Sequence, residues 1–484
     1  MTVSAAVDKL IDYAVKNLEL DARDSLYARN SLLDALGCGT YAASGVLWEG
    51  ESVGDLLDAL ADACKQAGLP AEDPESLSDR VMGMLMLPPH AVQDRFSEEL
   101  AKSPEAAMKW FYDYSVLGDY VKKEKLDRNP KYVAKNGLII TINLAKPEFR
   151  DPKRAASGNS TAGGYPACTI CRDNEGYGPR NKRTLRTVPL TLGGEPWFWQ
   201  FSPYGYFFRH GIAVNTKHTP MHVDRATFGR LMDFVDAFPC FFLGSNAPLP
   251  RIGGSVLAHD HFQGGQENLP LFSAKPAIPF RDESFPGAKI SVLDWHSTAI
   301  RVEGTREEVA AVSEKIRAAW VSFRDESRYI IPYDADGIHS AVSPTCRKTE
   351  SGYVMDILLR NNITSPEFPD GIFHAHPEYH VIKKESIGLI EAQGLFILPG
   401  RLQKELAPLS SALAGGEGLP AGSEAFRIVW DRLDTSKAYT AEEADTAVFE
   451  ALGDIAEHIL KNTAVFKTHE ETADFLKGAG LHEI

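Results

Sequence analysis

The hydrophobic periodicity of the chain changes from helical to strand-like, and this change constrains the fold more than any other feature. Over residues 1–128, apolar side chains recur every three or four positions, as in Val7, Leu10 and Ile11, a spacing that predicts helices. In the stretch GLIITINLAKPEF, residues 137–149, apolar and polar side chains alternate, which predicts a strand. We therefore expect a fold that joins a helical N-terminal region to a sheet.

The remainder of the chain shows the pattern strand, helix, strand twice. Aromatic and β-branched residues in PWFWQFSPYGYFFRHGIAVN predict strands, and DRATFGRLMDFVDAF, which follows, predicts a helix. A second series begins near residue 286 with AKISVLDWHSTAIRVEG, continues with the helical TREEVAAVSEKIRAAWVSF and returns to a strand in YVMDILLRNN. Helices packed against antiparallel sheet are the expected result.

These patterns predict an α+β fold with three segments. They are a helical N-terminal region (1–128), a first mixed half (129–285) and a second mixed half (286–484). The two halves are expected to be related, although the sequence shows no strict repeat. The small, Gly-rich stretch at residues 407–424 is predicted to be a surface loop, and two helices are expected to close the chain.

Composition argues against several classes of partner. Asp and Glu total 66 against 51 Lys and Arg, and the formal charge of −15 disfavours binding to nucleic acid. No stretch approaches the ~20 apolar residues that a membrane-spanning helix needs, and the N-terminus does not resemble a secretory signal. Six cysteines are too few for a disulfide framework in so long a chain. We expect a cytoplasmic protein with neither a nucleic-acid nor a membrane partner.

Eight of the 14 histidines lie in two short windows, five of them between residues 210 and 261. In the first window, LAHDHFQGG places His259, His261 and Gln263 at every second position, so in an extended strand they would share one face. A neutral imidazole is a good nucleophile towards phosphorus when a partner fixes its tautomer. The neighbours of His261 make it the candidate nucleophile.

The residues around His261 suit a phosphoryl group. Gly254 and its neighbouring glycine allow backbone N–H groups to approach a phosphate closely, and Ser255 adds a hydroxyl donor. The amide of Gln263 can hold a phosphoryl oxygen but does not exchange a proton near neutral pH. A glutamine at this position therefore favours transfer of a nucleotidyl group over hydrolysis.

Cys168 and Cys171 form a CxxC pair, and two cysteines at this spacing can supply half of a tetrahedral zinc site. His259 and either His218 or His222 could complete it, so a zinc ion is a candidate cofactor. The alternative is a pair of reduced thiols on a turn.

The second histidine window also allows two interpretations. Its alternating histidines could bind a second metal, or its cationic and amide groups could position a phosphate, to which Arg gives bidentate contacts and Lys a point charge. The candidate binding residues are Arg360, Asn361, His374, His376 and Lys384.

The chain resembles the class II UDP-glucose–hexose-1-phosphate uridylyltransferases of the histidine-triad superfamily over about residues 1–405. The resemblance rests on HDHFQ, the H-x-H-x-Q signature, and on longer stretches in the same order. These are GLIITINLAKPEFRDPK, CTICRDNEGYG, SNAPLPRIGGSVLAHDHFQGG and LLRNNITSPEFPDGIFHAHPEYHVIKKESIGLIEAQGLFILPGRL. It implies histidine-triad-like antiparallel sheets and a homodimer as one candidate assembly.

The resemblance also implies a reaction and roles for individual residues. His261 would carry UMP from UDP-glucose to galactose 1-phosphate by double displacement, and His259 would orient it or serve a metal. Gln263 would hold the transferred phosphoryl oxygen. The residues implied to line the nucleotide phosphates are Asn246, Gly254 and Ser255.

Two other functions stay open at this point. A nucleotide phosphorylase or hydrolase of the same superfamily would use phosphate or water as the acceptor. A zinc-bearing nucleotide-binding module would use all of its histidines as ligands and would catalyse nothing.

Overall fold

The computed structural model describes residues 1–70, 72–144, 164–254 and 256–484. Its N-terminal region is helical, as the periodicity predicts. Several of these helices begin at a side chain that accepts a hydrogen bond from the backbone N–H three residues later, such as Thr2, Ser52 and Ser103. The helices are α1 (Val3–Asn17), α2 (Ser25–Ala35), α3 (Val53–Gln66), α4 (Pro74–Leu85), α5 (Pro89–Lys102), α6 (Pro104–Leu117) and α7 (Lys123–Asp127).

A small sheet follows the N-terminal helices. Its strands are β1 (Lys131–Val133), β2 (Ile139–Asn143) and β15 (Leu395–Pro399). The strand β15 runs parallel to β2, and β1 runs antiparallel to it. The strand predicted over residues 137–149 is therefore present as β2, and residues 145–149 lie outside the described residues.

The main sheet contains eleven strands within the described residues, and each pair of neighbouring strands in it is antiparallel. Its strands are β3 (Val188–Leu192), β4 (Glu195–Phe201), β5 (Gly211–Asn215), β6 (Phe242–Gly244), β7 (His261–Gly265), β8 (Pro276–Arg281), β9 (Lys289–Leu293), β10 (Ala299–Gly304), β13 (Ser340–Thr349), β14 (Gly352–Asn361) and β16 (His482–Glu483). A separate hairpin consists of β11 (Tyr333–Asp334) and β12 (Gly337–Ile338).

The two halves of the main sheet have the same strand order. The first runs β3-β4-β5-β7-β6 and the second β8-β9-β10-β14-β13. Each half carries a helix between its third and fourth strands along the chain, namely α8 (Arg225–Ala237) and α9 (Arg306–Trp320). Because Gly244 of β6 pairs with Thr345 of β13, the halves form one continuous sheet. This repeat agrees with two related halves. The boundary at residue 285 stays a prediction; β8 lies before it in the chain but pairs with β9, which lies after it.

Five helices are described after the second histidine window: α10 (Leu389–Ala392), α11 (Leu402–Ala414), α12 (Arg427–Trp430), α13 (Ala441–Thr463) and α14 (His469–Gly478). The surface loop predicted over residues 407–424 is wrong for residues 407–414, which belong to α11. Leu406, Leu409 and Leu413 are buried on one face of this helix. The predicted α+β class is confirmed, and both closing helices are present.

The loop between β6 and β7 is the part of the fold that positions the predicted site. These strands are neighbours in the sheet, and β6 also pairs with the second half. The loop from Asn246 to Gly254 therefore lies where the two halves meet.

No helix in the described part of the chain is long and apolar enough to cross a bilayer.

Candidate active site

His261, the predicted nucleophile, is the first residue of β7. Its Nδ1 lies 2.8 Å from the backbone carbonyl oxygen of His259. Because a carbonyl oxygen only accepts, Nδ1 carries the ring proton and Nε2 keeps its lone pair. No described residue hydrogen-bonds to this Nε2. The residue is 5% exposed, and burial lowers the pKa of His261, which favours the neutral ring.

The strand that was predicted to carry both histidines begins only at His261. Residues 257 and 258 form a turn, and the backbone of Asp260 bonds to two residues outside a regular ladder. Its carbonyl accepts from the N–H of Asn215 at 3.0 Å, and its own N–H donates to the carbonyl of Thr219 at 2.7 Å. The side-chain oxygens of Asp260 are buried and accept no hydrogen bond from the described residues, although Oδ2 lies 3.9 Å from His222 Nδ1. Burial raises the pKa of Asp260 to about 6. The predicted extended face therefore starts at His261, and His259 lies before it.

The side chain of His259 faces the cysteine pair. Its Nδ1 lies 3.2 Å from Cys168 Sγ and 3.6 Å from Cys171 Sγ, and the two sulfurs are 3.3 Å apart. Its Nε2 lies 2.7 Å from the carbonyl oxygen of Asn215, so Nε2 carries the proton and Nδ1 is free to bind a metal. Burial lowers the pKa of His259 to about 4 and raises that of Cys168 to about 12.

His218 completes a four-residue group able to hold a metal ion. Ligand atoms of Cys168, Cys171, His218 and His259 all lie within 4.8 Å of one another. A tetrahedral ion with metal–sulfur bonds of about 2.3 Å and metal–nitrogen bonds of about 2.0–2.1 Å separates such atoms by roughly 3.4–3.8 Å. The group therefore needs only small adjustments. His222, the alternative ligand, lies instead 3.6 Å from the carboxylate of Asp224.

Asn246 and Gly254 lie together in the loop between β6 and β7. The Oδ1 of Asn246 accepts from the N–H of Leu389 at 2.8 Å, and its Nδ2 is buried without a partner among the described residues. A Cβ at position 254 would come within 2.8 Å of this Nδ2, so glycine permits the approach. The amide nitrogen of Asn246 is thus a free hydrogen-bond donor beside the backbone of Gly254. Ser255, predicted to line the same phosphates, lies outside the described residues.

Arg360 and Asn361 lie at the end of β14 and bond to the protein itself. The Nη2 of Arg360 donates to the carbonyls of Ile252 and Ile387 at 3.2 and 2.8 Å. Burial lowers the pKa of Arg360 to about 10. Asn361 donates to a backbone carbonyl and to Ser340 Oγ at 2.9 and 3.0 Å. Arg360 thus holds the β6–β7 loop by its hydrogen bond to Ile252. Direct contact of Arg360 or Asn361 with substrate stays a prediction.

The second histidine window does not form a metal centre within the described residues. His374 is buried, its Nδ1 lies 3.2 Å from a backbone carbonyl, and burial lowers its pKa to about 4. His376 stacks on Phe368 with 4.1 Å between ring centroids, and its Nε2 lies 3.1 Å from another carbonyl. Lys384 is exposed and has no partner in the described part of the chain, whereas Lys383 is buried against Glu391. Of the two lysines, Lys384 is the one available to an anion.

His210 lies beside the predicted site, and no sequence motif predicts a role for it. It immediately precedes β5, whose Gly211 pairs with Gly264 of β7, and this places its ring beside Gln263. The Nε2 of His210 lies 3.3 Å from Gln263 Oε1. In the sequence, His210 only stands before a predicted strand. The pairing of that strand, β5, with β7 is needed to see that His210 lies beside the motif.

A separate cleft lies elsewhere in the fold. Its volume is about 1030 Å³, and it is bordered by the β9–β10 turn and the ends of α13 and α14, including Trp295, Lys461 and His469. None of the predicted site residues in the described ranges lines it. The predicted chemistry is therefore not located in this cleft.

Comparison with known proteins identifies the family. A galactose-1-phosphate uridylyltransferase of Bifidobacterium longum subsp. longum is 49% identical over 507 residues, which cover 99% of this chain and 98% of the relative. The chain belongs to the galactose-1-phosphate uridylyltransferase family. The family resemblance noted from the motifs is thus confirmed.

Further matches agree with this family. The model of the galactose-1-phosphate uridyl transferase N-terminal domain matches residues 19–220. Uridylyltransferases of this name from Lactococcus lactis subsp. lactis and Bacillus subtilis are each 35% identical and cover 97% of this chain and 97% and 96% of the relatives. Among solved structures, yeast Ap4A phosphorylase Apa2 aligns with 58% of this chain and 81% of its own, at 10% identity and a TM-score of 0.31, too low for any inference.

Proposed function

We propose that this chain transfers UMP from UDP-glucose to galactose 1-phosphate, giving UDP-galactose and glucose 1-phosphate. The observation that carries the proposal is the hydrogen bond from His261 Nδ1 to the carbonyl of His259, which leaves Nε2 as a free nucleophile at the start of β7. Full-length relatives named for this activity support the choice of substrates.

The reaction is a double displacement at phosphorus. In the first half, Nε2 of His261 attacks the phosphorus of the UMP group, a P–N bond forms, and the P–O bond to glucose 1-phosphate breaks. The ring then carries a positive charge, which the carbonyl of His259 stabilises through the Nδ1 proton. In the second half, a phosphate oxygen of galactose 1-phosphate attacks the same phosphorus and the P–N bond breaks. One nucleophile serves both halves, so ping-pong kinetics are expected.

The groups proposed to hold the nucleotide phosphates all donate hydrogen bonds. Asn246 offers its free Nδ2, Gly254 an accessible backbone and Gln263 its amide nitrogen. Ser255 is proposed as a further hydroxyl donor from the sequence alone. Such donors stabilise the charge that develops on phosphoryl oxygens in the transition state.

The second histidine window is proposed to bind the sugar phosphates. Lys384 is exposed and supplies a positive charge, and His374 lies near Arg360, which lowers its pKa further. We propose His374 and His376 as sugar or phosphate contacts. Arg360 is proposed to act mainly through the loop that it holds at Ile252, and Asn361 through its bonds to Ile331 and Ser340 at the end of β14.

We propose zinc as the ion of the Cys168, Cys171, His218 and His259 group. Two thiolates and two imidazoles at tetrahedral spacing are typical zinc ligands, and four protein ligands leave no open position. When bound, zinc would act as a structural cross-link. It would fix His259, whose carbonyl accepts from the ring of His261, so the metal site would support the proposed nucleophile from two residues before it.

Cys168→Ser is expected to lower bound zinc and stability more than the chemical step. A hydroxyl is a poorer zinc ligand than a thiolate, and loss of a structural metal removes folding free energy. Elemental analysis and thermal unfolding of purified protein are the measurements, with Cys64→Ser, a buried cysteine of α3 outside the group, as the matched control. Active wild-type protein without stoichiometric metal would leave the reduced-thiol interpretation.

Mass spectrometry after incubation with UDP-glucose alone tests the proposed function. We expect one added UMP, mapped to His261, and release of one equivalent of glucose 1-phosphate that then stops. Steady release without an acceptor would indicate a hydrolase, and release that depends on inorganic phosphate would indicate a phosphorylase. Absence of any adduct or release would favour a binding module.

Two further proposals concern the setting of the enzyme. We propose a cytoplasmic location, in keeping with small phosphorylated substrates, and a homodimer. Cell fractionation and sedimentation analysis check them.

A further inference from the structure

We propose that His210 is a positioning residue that fixes the amide of Gln263 with its nitrogen towards the reacting phosphoryl group. The inference rests on the proposed function, because it gives His210 a part in that reaction through Gln263. It is carried by the hydrogen-bond chain from Tyr206 through His210 to Gln263.

The first step concerns the tautomer of His210. The backbone N–H of Tyr206 lies 3.4 Å from His210 Nδ1, and a backbone N–H can only donate. Nδ1 therefore accepts, and in the neutral ring the proton is on Nε2. This nitrogen faces Gln263 at 3.3 Å, so His210 presents a donor to the glutamine side chain.

The second step concerns the orientation of the Gln263 amide. An amide has one accepting and one donating end, and a donor on His210 selects the oxygen of Gln263 as its partner. The amide nitrogen then points away from His210 and has no partner among the described residues. In the reverse orientation the amide oxygen would face the negatively charged phosphoryl oxygens and would repel them. His210 thus selects the orientation that can stabilise the transferred group.

The third step concerns how firmly the His210 ring is held. The residue is 4% exposed, and its ring stacks on Tyr206 with 4.9 Å between centroids and lies 4.6 Å from that of Phe207. Its backbone is bonded on both sides, to the Phe207 carbonyl at 3.2 Å and from the Ser202 N–H at 2.9 Å. Burial lowers the pKa of His210 to about 4, so the neutral ring persists in the working range. The donor at Nε2 is therefore present before substrate binds.

His210→Phe removes the donor and keeps an aromatic ring in the stack. We expect both half-reactions to slow by about tenfold, and by less than in Gln263→Ala, because the amide remains and only its preorganisation is lost. His210→Gln places an amide nitrogen near the lost Nε2 and is expected to recover activity to within about threefold of wild type. Recovery by His210→Gln separates the donor from a packing role.

A double-mutant cycle with Gln263→Ala is the decisive measurement. If His210 acts through Gln263, adding His210→Phe to Gln263→Ala should cause no further loss of the single-turnover rate. Losses that multiply in the double variant, or a His210→Phe rate equal to wild type with the fold intact, would overturn the inference. If His210→Phe does not fold, the cycle is run with His210→Leu.

The proposed function and this inference fail separately. Exchange of labelled glucose 1-phosphate into UDP-glucose by the wild type is measured first, and its absence refutes the proposed function alone. The inference is then decided by crystal structures with UMP as the probe. We expect a single Gln263 orientation with nitrogen towards the UMP phosphate in wild type and a rotated or twofold-disordered side chain in His210→Phe, and an unchanged side chain would refute it.

Discussion

His261→Ala is expected to reduce UMP transfer by roughly 10⁴-fold or more while the protein remains folded. The substitution removes the group proposed to form the P–N bond, and loss of a covalent nucleophile eliminates the route and not merely one contact within it. The measurement is exchange of labelled glucose 1-phosphate into UDP-glucose, together with mass spectrometry of the protein after UDP-glucose alone. Neither exchange nor an adduct is expected.

The control for His261→Ala is His296→Ala, a partly buried histidine of the separate cleft. It should retain exchange, which shows that loss of an imidazole elsewhere does not inactivate the enzyme. Removal of the buried His261 ring is expected to cost about 1–3 kcal/mol in unfolding free energy, within the range of ordinary buried substitutions. A UMP adduct that persists in His261→Ala would assign the nucleophile to another side chain.

The fold was predictable where hydrophobic spacing is regular. The period in Val7, Leu10 and Ile11 predicts α1, and the alternation around Ile140 predicts β2. The stretch at 407–414 was mistaken for a loop because small residues dominate its composition, although Leu406, Leu409 and Leu413 have helical spacing. In this segment the helical spacing of the leucines, and not the content of small residues, determines the secondary structure.

The order of strands in the sheet could not be read from spacing. Periodicity predicts that a segment is a strand but not which strand lies beside it, and β7 is inserted between β5 and β6. The role inferred for His210 depends on that insertion, since the residue precedes β5 and contacts Gln263 of β7 across the pair. A contact between residues 53 positions apart requires the tertiary structure.

The sequence predicts a set of candidate site residues but not their geometry. The motif predicts His259 and His261 on one face, whereas the turn at 257–258 directs the His259 ring to the cysteines. The backbone carbonyl of His259 accepts from the ring of His261, the proposed nucleophile, and a side-chain pattern does not reveal this contact. Similarly, Arg360 has the chemistry of a phosphate ligand but bonds to Ile252 and Ile387, because the second half of the sheet supports the loop of the first.

Gln263→Ala is expected to slow formation and breakdown of the uridylyl-enzyme together by about 10²–10³-fold. In the proposed mechanism both half-reactions pass through similar transition states at the same phosphorus, and the amide nitrogen is proposed to stabilise both by donating to a phosphoryl oxygen. Loss of one such preorganised donor typically costs this much. Single-turnover rates with UDP-glucose, and with galactose 1-phosphate added to the labelled enzyme, are the measurements. Slowing of one half-reaction alone would place the amide on a sugar phosphate and not on the transferred group.

Gln263→His tests whether this side chain also biases the site towards transfer. An imidazole can exchange a proton with a leaving group or with water near neutral pH, which an amide does not do. In the proposed mechanism glutamine therefore allows the uridylyl-histidine to await a sugar phosphate, and histidine at the same position should let water compete. We expect the adduct on Gln263→His to decay faster in buffer without sugar phosphate, and the ratio of hydrolysis to transfer to rise even if total turnover falls. Gln263→Asn, a shortened amide, is the matched control, since it loses reach without gaining a titratable group. An adduct lifetime in Gln263→His equal to or longer than that of wild type, with the fold intact, would show that acceptor choice is determined by exclusion of water from the site and not by the proton chemistry of residue 263.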